Sequence, residues 1–332
     1  MLEALASLEL NISVVICTRD RPDSLRETLE GLANADRTGL RVEIVVVDNG
    51  SSDSSSDVVR AFQDRLPMRL LFEPRQGAYG KSHALNRVLD DGCAAEIVAV
   101  LDDDMSARSD WFQGVAALAN RWPNKDLFTG RSYVVWPPST PPAFSRSGEL
   151  ATWMYSIIDN GEEDRPMGNG RWFSGNHFWF RSRCLASGVR FDDIWLTEPK
   201  FMLDLVEKGF EAISGGEAVV GHRIQERLLN AAVVRQRAVK VGCSNAEVRL
   251  RPYRRTVKHA LFLHRRPLMG RLFCVVKLVQ SGFDWVRAKM HWSADRRFVA
   301  TVIAIQRFTY QLHLLKISGQ LPEYKVFRRA PK

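Results

Sequence analysis

Three adjacent aspartates, Asp102, Asp103 and Asp104, close the apolar run EIVAVL at 96–101, and Asp48 closes another, VEIVVV at 42–47. Like charges gathered at the mouth of a buried strand repel one another, so a cation, a helix end or water must offset them. Carboxylate oxygens are hard ligands that suit Mg2+ or Mn2+, and a cation held there would in turn bind a diphosphate. Side chains alternate along an extended chain, so Asp102 and Asp104 are expected to point one way and Asp103 another. The competing reading is a helix cap, with Asp104 or a neighbour closing a helix that starts near Ser109. The position at a strand's carboxyl end, with Asp48 on a neighbouring loop, favours the cation.

A second candidate is GAYGKS at 77–82, which has a strand before it and a helix after it. A phosphate-cradling P-loop needs a glycine five residues before Gly80, and position 75 is Arg. The pattern fails where the tight backbone cradle requires it, so a P-loop phosphotransferase acting through Lys81 is a minor alternative.

Four strand–helix units must position these residues. ISVVIC (12–17), VEIVVV (42–47), MRLLF (68–72) and EIVAVL (96–101) read as buried strands. Helices are expected from Pro22, near 57–65, over 82–89 and from about Ser109. Such a repeat implies an α/β fold with a mostly parallel sheet and helices on both faces, which binds ligands beyond the carboxyl ends of its strands. Thr18, Asp48, Arg75 and Asp102–Asp104 all follow strands directly. Past residue 125 the rhythm changes. DLFTGRSYVVW suggests a strand, PPSTPPAF an irregular loop, WFSGNHFWFRSRCL a strand into a helix, TEPKFMLDLVEKGF a helix and EAVVGHR an edge strand. Helices dominate from 224 onward.

Composition narrows the function classes. The 332 residues are 45% apolar, enough for a sizeable core, and carry a net charge of +9. The five cysteines are scattered without a CxxC or Cys/His cluster, which disfavours a disulfide framework or a zinc site and suits a reducing compartment. The N-terminus lacks the features of a signal peptide, and no apolar run approaches the ~20 residues that cross a bilayer. Charge is uneven: residues 251–332 hold 18 Lys and Arg against three acids, whereas the preceding 250 residues are net acidic. Such a tail could meet nucleic acid, anionic lipid or a phosphorylated substrate. No nucleic-acid motif accompanies it, so no nucleic-acid partner is expected.

From about Ile12 to about Gly242 the segments resemble the inverting glycosyltransferases of family 2, whose fold is GT-A. SVVICTRDRPDSLRETLEGL resembles the family's opening strand and helix. EIVVVDNGSSDSS resembles its V-V-D-D-G-S-x-D segment, with Asn49 in place of the second aspartate. GAYGKSHALNRVLDDG resembles G-x-x-x-A-R-N-x-G, with Leu85 where Arg is usual. AVLDDDM resembles the metal-binding DxD, and GNHFWFRSRCL the segment preceding the catalytic helix. The resemblance implies three parts: residues 1–110 as the nucleotide-sugar half of the GT-A domain, 111–223 as the acceptor and catalytic half, and 224–332 as a basic helical extension.

It also implies roles. Thr18, Arg19, Asp48, Arg75, Asp102 and Asp103 would hold the nucleotide, with Asn86 supporting the loop. Asp104, Asp102 and His222 would hold Mg2+ or Mn2+. Trp172, Asn176, Trp195, Arg223 and Arg227 would contact acceptor or phosphate, although buried packing is the commoner explanation for Trp172, Trp179 and Trp195. The family's Glu-Asp pair before the catalytic helix is missing from TEPKFMLDLVEKGF. Aligning back from Leu203, Leu205, Gly209 and Phe210 puts Glu198 at the base position, where it also reads as a first-turn acid favoured by the helix dipole. The implied reaction moves a sugar from a nucleotide-diphosphate donor, UDP on family grounds, to a glycan or lipid-linked oligosaccharide. A nucleotide-binding regulator that has lost catalysis is the alternative.

Two stretches of the basic tail show one-sided apolar faces: Leu272, Val275, Val276, Val279, Phe283 and Val286, and then Phe298, Val302, Ile305, Phe308, Leu312 and Leu315. Basic amphipathic helices either lie on an anionic membrane surface or cap the domain. The first reading implies a cytoplasmic enzyme peripheral to the inner face of the membrane.

Overall fold

A computed structural model describes residues 10–77, 80–92, 95–167, 175–194, 196–250, 267–291 and 293–318. The chain divides into two compact units. Residues 1–135 and 157–223 form the first, and residues 136–156 and 224–332 the second.

The first unit is built on a sheet whose path is β3-β2-β1-β4-β8-β6-β9-β5, with β7 pairing β9. The strands are β1 (Leu10–Thr18), β2 (Leu40–Asp48), β3 (Met68–Phe72), β4 (Ile97–Asp102), β5 (Met105–Ala107), β6 (Leu127–Val135), β7 (Arg165–Pro166), β8 (His177–Arg181) and β9 (Ala212–Arg223). The first four in chain order run parallel, and β8 is antiparallel to both β4 and β6. The helices are α1 (Pro22–Asn34), α2 (Ser55–Ala61), α3 (Lys81–Asp91), α4 (Trp111–Arg121) and α6 (Thr197–Glu207); α5 (Gly148–Met154) belongs to the second unit.

Strand alternation explains the layering. Ile12, Val14, Ile16, Ile44, Val46, Ile97 and Ala99 point to the layer of α1, α2 and α4, where they meet Leu25, Leu29, Val58, Trp111 and Val115. Their neighbours Val15, Val45, Val47, Val98 and Val100 point to the opposite layer, meeting Ala84, Leu85, Val88, Phe201, Met202 and Leu205 of α3 and α6. A strand covered on both faces must be apolar at consecutive positions, which is why these strands read as unbroken runs. The expected α/β architecture with helices on both faces is the one observed.

Several expected boundaries move. The second helix is 55–61 rather than 57–65, and the fourth starts at Trp111 with Asp110 at its N-cap position. β8 leads into a 3-10 turn, Ser182–Ser187, rather than an α-helix. EAVVGHR is not an edge strand. It is the end of β9, flanked by β6 on one side and by β5 on the other. Three-residue β5 takes the edge, a pairing with no periodicity to announce it.

The second unit contains α5, α7 (Ala231–Leu250), α8 (Pro267–Ala288) and α9 (Ala294–Ser318). Gly242 lets α7 approach α9: a Cβ there would lie 2.7 Å from Gln306 O. No helix among the described residues is long and apolar enough to cross a membrane.

The core of the first unit contains the fully buried imidazole of His177. Trp111 Nε1 donates to His177 Nε2 at 2.8 Å, and burial pushes the His177 pKa down to about 3. Gly130 sits where β6 shifts register between Thr129 and Arg131, and a Cβ there would collide with Ala218 O and His177 Cε1. Gly130→Ala is therefore expected to lower the unfolding free energy by about 2–3 kcal/mol in urea titration. Gly148→Ala, with nothing within 4 Å, should stay within roughly 0.5 kcal/mol of the parent.

Candidate active site

Register brings the carboxyl ends of the parallel strands to one level. Thr18 pairs with Asp48 across β1 and β2, and Cys17 with Asp102 across β1 and β4. The strand stops at Asp102 and the chain turns, so the alternation expected for the three aspartates is lost. Asp102 faces one way, while Asp103 and Asp104 are gathered together by a single guanidinium. Arg21 donates through Nη1 to Asp103 Oδ1 at 2.5 Å and through Nη2 to Asp104 Oδ2 at 2.7 Å.

The turn is pinned from behind. Thr18 Oγ1 donates to Asp103 Oδ2 at 2.8 Å, and Ser24 Oγ and Thr28 Oγ1 donate to the Asp103 carbonyl at 2.9 and 2.8 Å. Burial pushes the Asp103 carboxyl up to about 7 even beside Arg21, with Asp104 adding to the rise. Burial opposes the Asp104 charge as well, but His222 and Arg21 hold that carboxyl well below the usual range.

The opposite side of the site is a bridge. Lys81, the first residue of α3, extends its Nζ to Asp102 Oδ1 and to Glu198 Oε1. Glu198 lies in the first turn of α6 and is buried. Gly175 stands against it: a Cβ there would lie 3.6 Å from Glu198 Oε2 and 3.3 Å from Pro199 Cδ. Burial raises the Glu198 pKa, Lys81 works against that rise, Asp102 adds to it, and the net shift is upward. Burial also disfavours charge on Lys81, yet the two carboxylates hold its pKa well above the ordinary value. Lys81 entered the sequence reading only through a failed P-loop; its place at a helix start after the third strand was the available signal. Arg21, next to the Pro that opens α1, carried no signal of its own.

The remaining expected residues scatter around this centre. Asp48 accepts from Ser51 N in its own loop at 2.7 Å and from Ser56 Oγ in the first turn of α2 at 2.6 Å. Asn49, the substitute for a second aspartate, is buried with Oδ1 lacking a hydrogen-bond partner. Arg75 packs near it, its Cγ 3.0 Å from where a Gly80 Cβ would be. Arg19 pairs with Asp20 at 3.2 Å. Asn86 exchanges two 2.9 Å bonds with the backbone of Phe191, so it fastens the loop before α6. Asn176 O accepts from Asp102 N at 3.1 Å.

Arg223 is committed behind the turn, donating to Met105 O at 2.8 Å, Ser106 Oγ at 2.9 Å, Ser24 O at 2.8 Å and Thr28 Oγ1 at 2.7 Å. Arg227 belongs to the second unit and donates to Gln225 Oε1 at 2.6 Å. Trp179 is core, stacked on Phe128 with centroids 5.9 Å apart. Trp172 and Trp195 lie outside the described residues.

The metal trio is only partly assembled. Asp104 Oδ1 is buried, lacks a hydrogen-bond partner and lies 3.5 Å from His222 Nε2. A hard oxygen and an imidazole nitrogen facing one another fit Mn2+ or Mg2+ as two of its ligands. Asp102 is turned to Lys81 instead, and no group of three His, Cys, Asp or Glu among the described residues could hold an ion.

Comparison with known proteins identifies the family and the fold. The family model described as Glycosyl transferase family 2 matches residues 13–183. A validoxylamine A glucosyltransferase from Streptomyces hygroscopicus subsp. limoneus is 31% identical over 169 residues, 49% of this chain and 34% of that protein. The match thus spans about a third of that relative's length. A glucosyl-dolichyl phosphate glucuronosyltransferase from Haloferax volcanii is 21% identical over 297 residues, 89% of this chain and 78% of that protein. Among solved structures, a mannosyltransferase from Pyrobaculum calidifontis in complex with GDP-Man and Mn2+ superposes with a TM-score of 0.57 at 19% identity, covering 91% of this chain and 86% of that one.

Lys81 offers a direct test of the bridge. In Lys81→Met, Glu198 and Asp102 lose their shared cation, and the Glu198 pKa rises further above its unfolded value. A carboxyl raised in the folded state costs stability as pH climbs through its unfolded pKa, so the deficit should grow with pH. Urea unfolding is expected to show little loss near pH 4 and about 3 kcal/mol at pH 7.5. A deficit equal at both pH values would mean that Lys81 does not neutralise the pair.

Proposed function

Since the chain belongs to glycosyl transferase family 2, we propose that it moves a sugar from a nucleoside-diphosphate donor to a hydroxyl of a glycan acceptor, lipid-linked, with inversion at the anomeric carbon. The observation that carries this reading is the buried Glu198, tied through Lys81 to Asp102 at the carboxyl end of the parallel strands. A carboxylate whose proton affinity is raised by burial suits a general base. Glu198 takes the proton of the acceptor hydroxyl; the freed oxygen bonds to the anomeric carbon from one face as the bond to the diphosphate oxygen breaks on the other. A diphosphate arriving beside Asp102 competes for Lys81, and drawing the ammonium away raises the proton affinity of Glu198 when it is needed.

Thr18, Arg19, Asp48 and Arg75 hold the base and ribose in this reading, and Asn86 keeps the loop before α6 in place. Asp104 and His222 are the protein ligands for Mn2+ or Mg2+, which when bound supplies Lewis-acid stabilisation of the departing diphosphate. Support for the acceptor class comes from the Haloferax relative, whose name describes action on a dolichyl-phosphate-linked sugar. The donor nucleotide is UDP on family grounds, and the GDP-Man neighbour makes GDP the alternative to exclude.

Thermal melts with UDP, GDP, dTDP, CDP or ATP, each with Mn2+ or chelator, check the donor. A ligand that binds only the folded chain raises its melting temperature. One nucleoside diphosphate is expected to shift the melt with Mn2+ and lose most of that shift with chelator; a preference for ATP sinks the reading. With the donor known, Glu198→Gln should cut transfer by roughly 10²–10⁴-fold while preserving the nucleotide-induced shift. If the parent binds nucleotide and no acceptor receives sugar, the chain is a regulator that retains the fold.

A further inference from the structure

Helix α8 carries an apolar face that is left exposed among the described residues. Leu272, Val275, Val276, Val279, Phe283 and Val286 recur at the three- and four-residue spacing of one helical side, and Met290 continues the line just past the helix end. They are between 44% (Val275) and 76% (Met290) exposed. The opposite side is the packed one: Cys274, Ser281 and Ala288, seven residues apart, are buried. The sequence pattern alone could not tell a helix that caps a domain from one that leaves its apolar side outside; here the small residues face inward and the large ones outward. A globular unit rarely exposes such a contiguous row without a use for it.

The charges around the row identify the occupant. At 100° per residue, Arg287 falls on one border of the row, Lys289 follows directly after the helix end, and both are exposed. Lys289 lies over the Trp285 ring, 5.3 Å from its centroid. Residues 267–318 hold eight Lys and Arg against two Asp. An apolar stripe bordered by cations matches a bilayer interface, where the stripe enters the acyl boundary and the cations stay among anionic headgroups. A protein partner would need no such excess of one sign. The helix falls short of a membrane span, so it lies in the interface rather than crossing it.

We propose that α8 docks the protein on an anionic lipid surface, lying in the headgroup plane with Leu272, Val276, Val279 and Phe283 inserted. The consequence for a lipid-linked acceptor rests on the function proposed above; the docking itself does not.

Co-sedimentation of the full chain with vesicles tests it. Vesicles of phosphatidylcholine with about a third phosphatidylglycerol, enough to give the surface a strongly negative potential, should pellet the protein at low salt. Pure phosphatidylcholine should pellet much less. Val276→Ser with Phe283→Ser changes only exposed side chains, so its melting temperature should match the parent while vesicle binding falls about tenfold or more. Arg287→Glu with Lys289→Glu should weaken binding to the anionic vesicles alone. The proposal is overturned if the parent stays in the supernatant with both vesicles, or if the serine variant binds as the parent does. It is equally overturned if the parent is a dimer in solution that the serine variant splits, with no lipid binding by either, for then a second copy covers the face. Nucleotide-induced melting shifts should be the same in parent and serine variant, so failure of docking and failure of the proposed transfer activity are read separately.

Discussion

The structure depends on neutralising four carboxylates at one edge of a sheet. Asp102, Asp103, Asp104 and Glu198 converge where the parallel strands end, and the last three are buried. Uncompensated, such a cluster would be driven to protonate or to unfold its surroundings. Two basic residues oppose this by dividing the work. Lys81 serves Asp102 and Glu198, and Arg21 serves Asp103 and Asp104 with its planar fork. The geometry suits each residue: a point charge on a flexible stem bridges carboxylates from separate elements, whereas a guanidinium matches two adjacent ones. One acceptor, Asp104 Oδ1, remains outside both sets of bonds and faces His222.

This arrangement exists because the chain crosses the sheet before returning to it. Arg21 and the aspartates it holds are about eighty positions apart in sequence, and Lys81 is separated from Glu198 by more than a hundred. Parallel pairing of β1 with both β2 and β4 puts their carboxyl ends side by side, so loops remote in sequence share one edge. The doubly covered strands fix that edge rigidly, since neither face can slide without exposing a layer of valine and isoleucine.

What was legible in the sequence follows from this division. Strands β1 to β4, α1, α3 and α6 were readable because their signals are local: unbroken apolar runs, a Pro at a helix start, apolar residues at helical spacing. Glu198 was singled out by counting back from Leu203, Leu205, Gly209 and Phe210, and the structure buries it beside the Lys81 ammonium that also reaches Asp102. The orientation of the aspartates was not readable, because alternation holds only while the strand lasts and the strand ends at Asp102. The interior position of β9 escaped because its edge partner is three residues long. The countercharges escaped for a different reason: no periodicity or motif links a lysine to a carboxylate a hundred residues away, and only the topology does.

The turn that carries Glu198 shows how one buried carboxylate is positioned. Glu198 lies in the buried first turn of α6, and its side chain needs space there. Gly175 supplies it: a Cβ there would lie in contact with both Glu198 Oε2 and Pro199 Cδ. Pro199 in the first turn lacks only an N–H that the helix would not have paired, and its ring restricts the backbone immediately after Glu198. Thus the turn is stiffened on one side, relieved on the other, and charge-matched by Lys81 at its tip. Three residues from three segments together set the position of one carboxylate, so the side chain reaches the strand ends without displacing the helix that carries it.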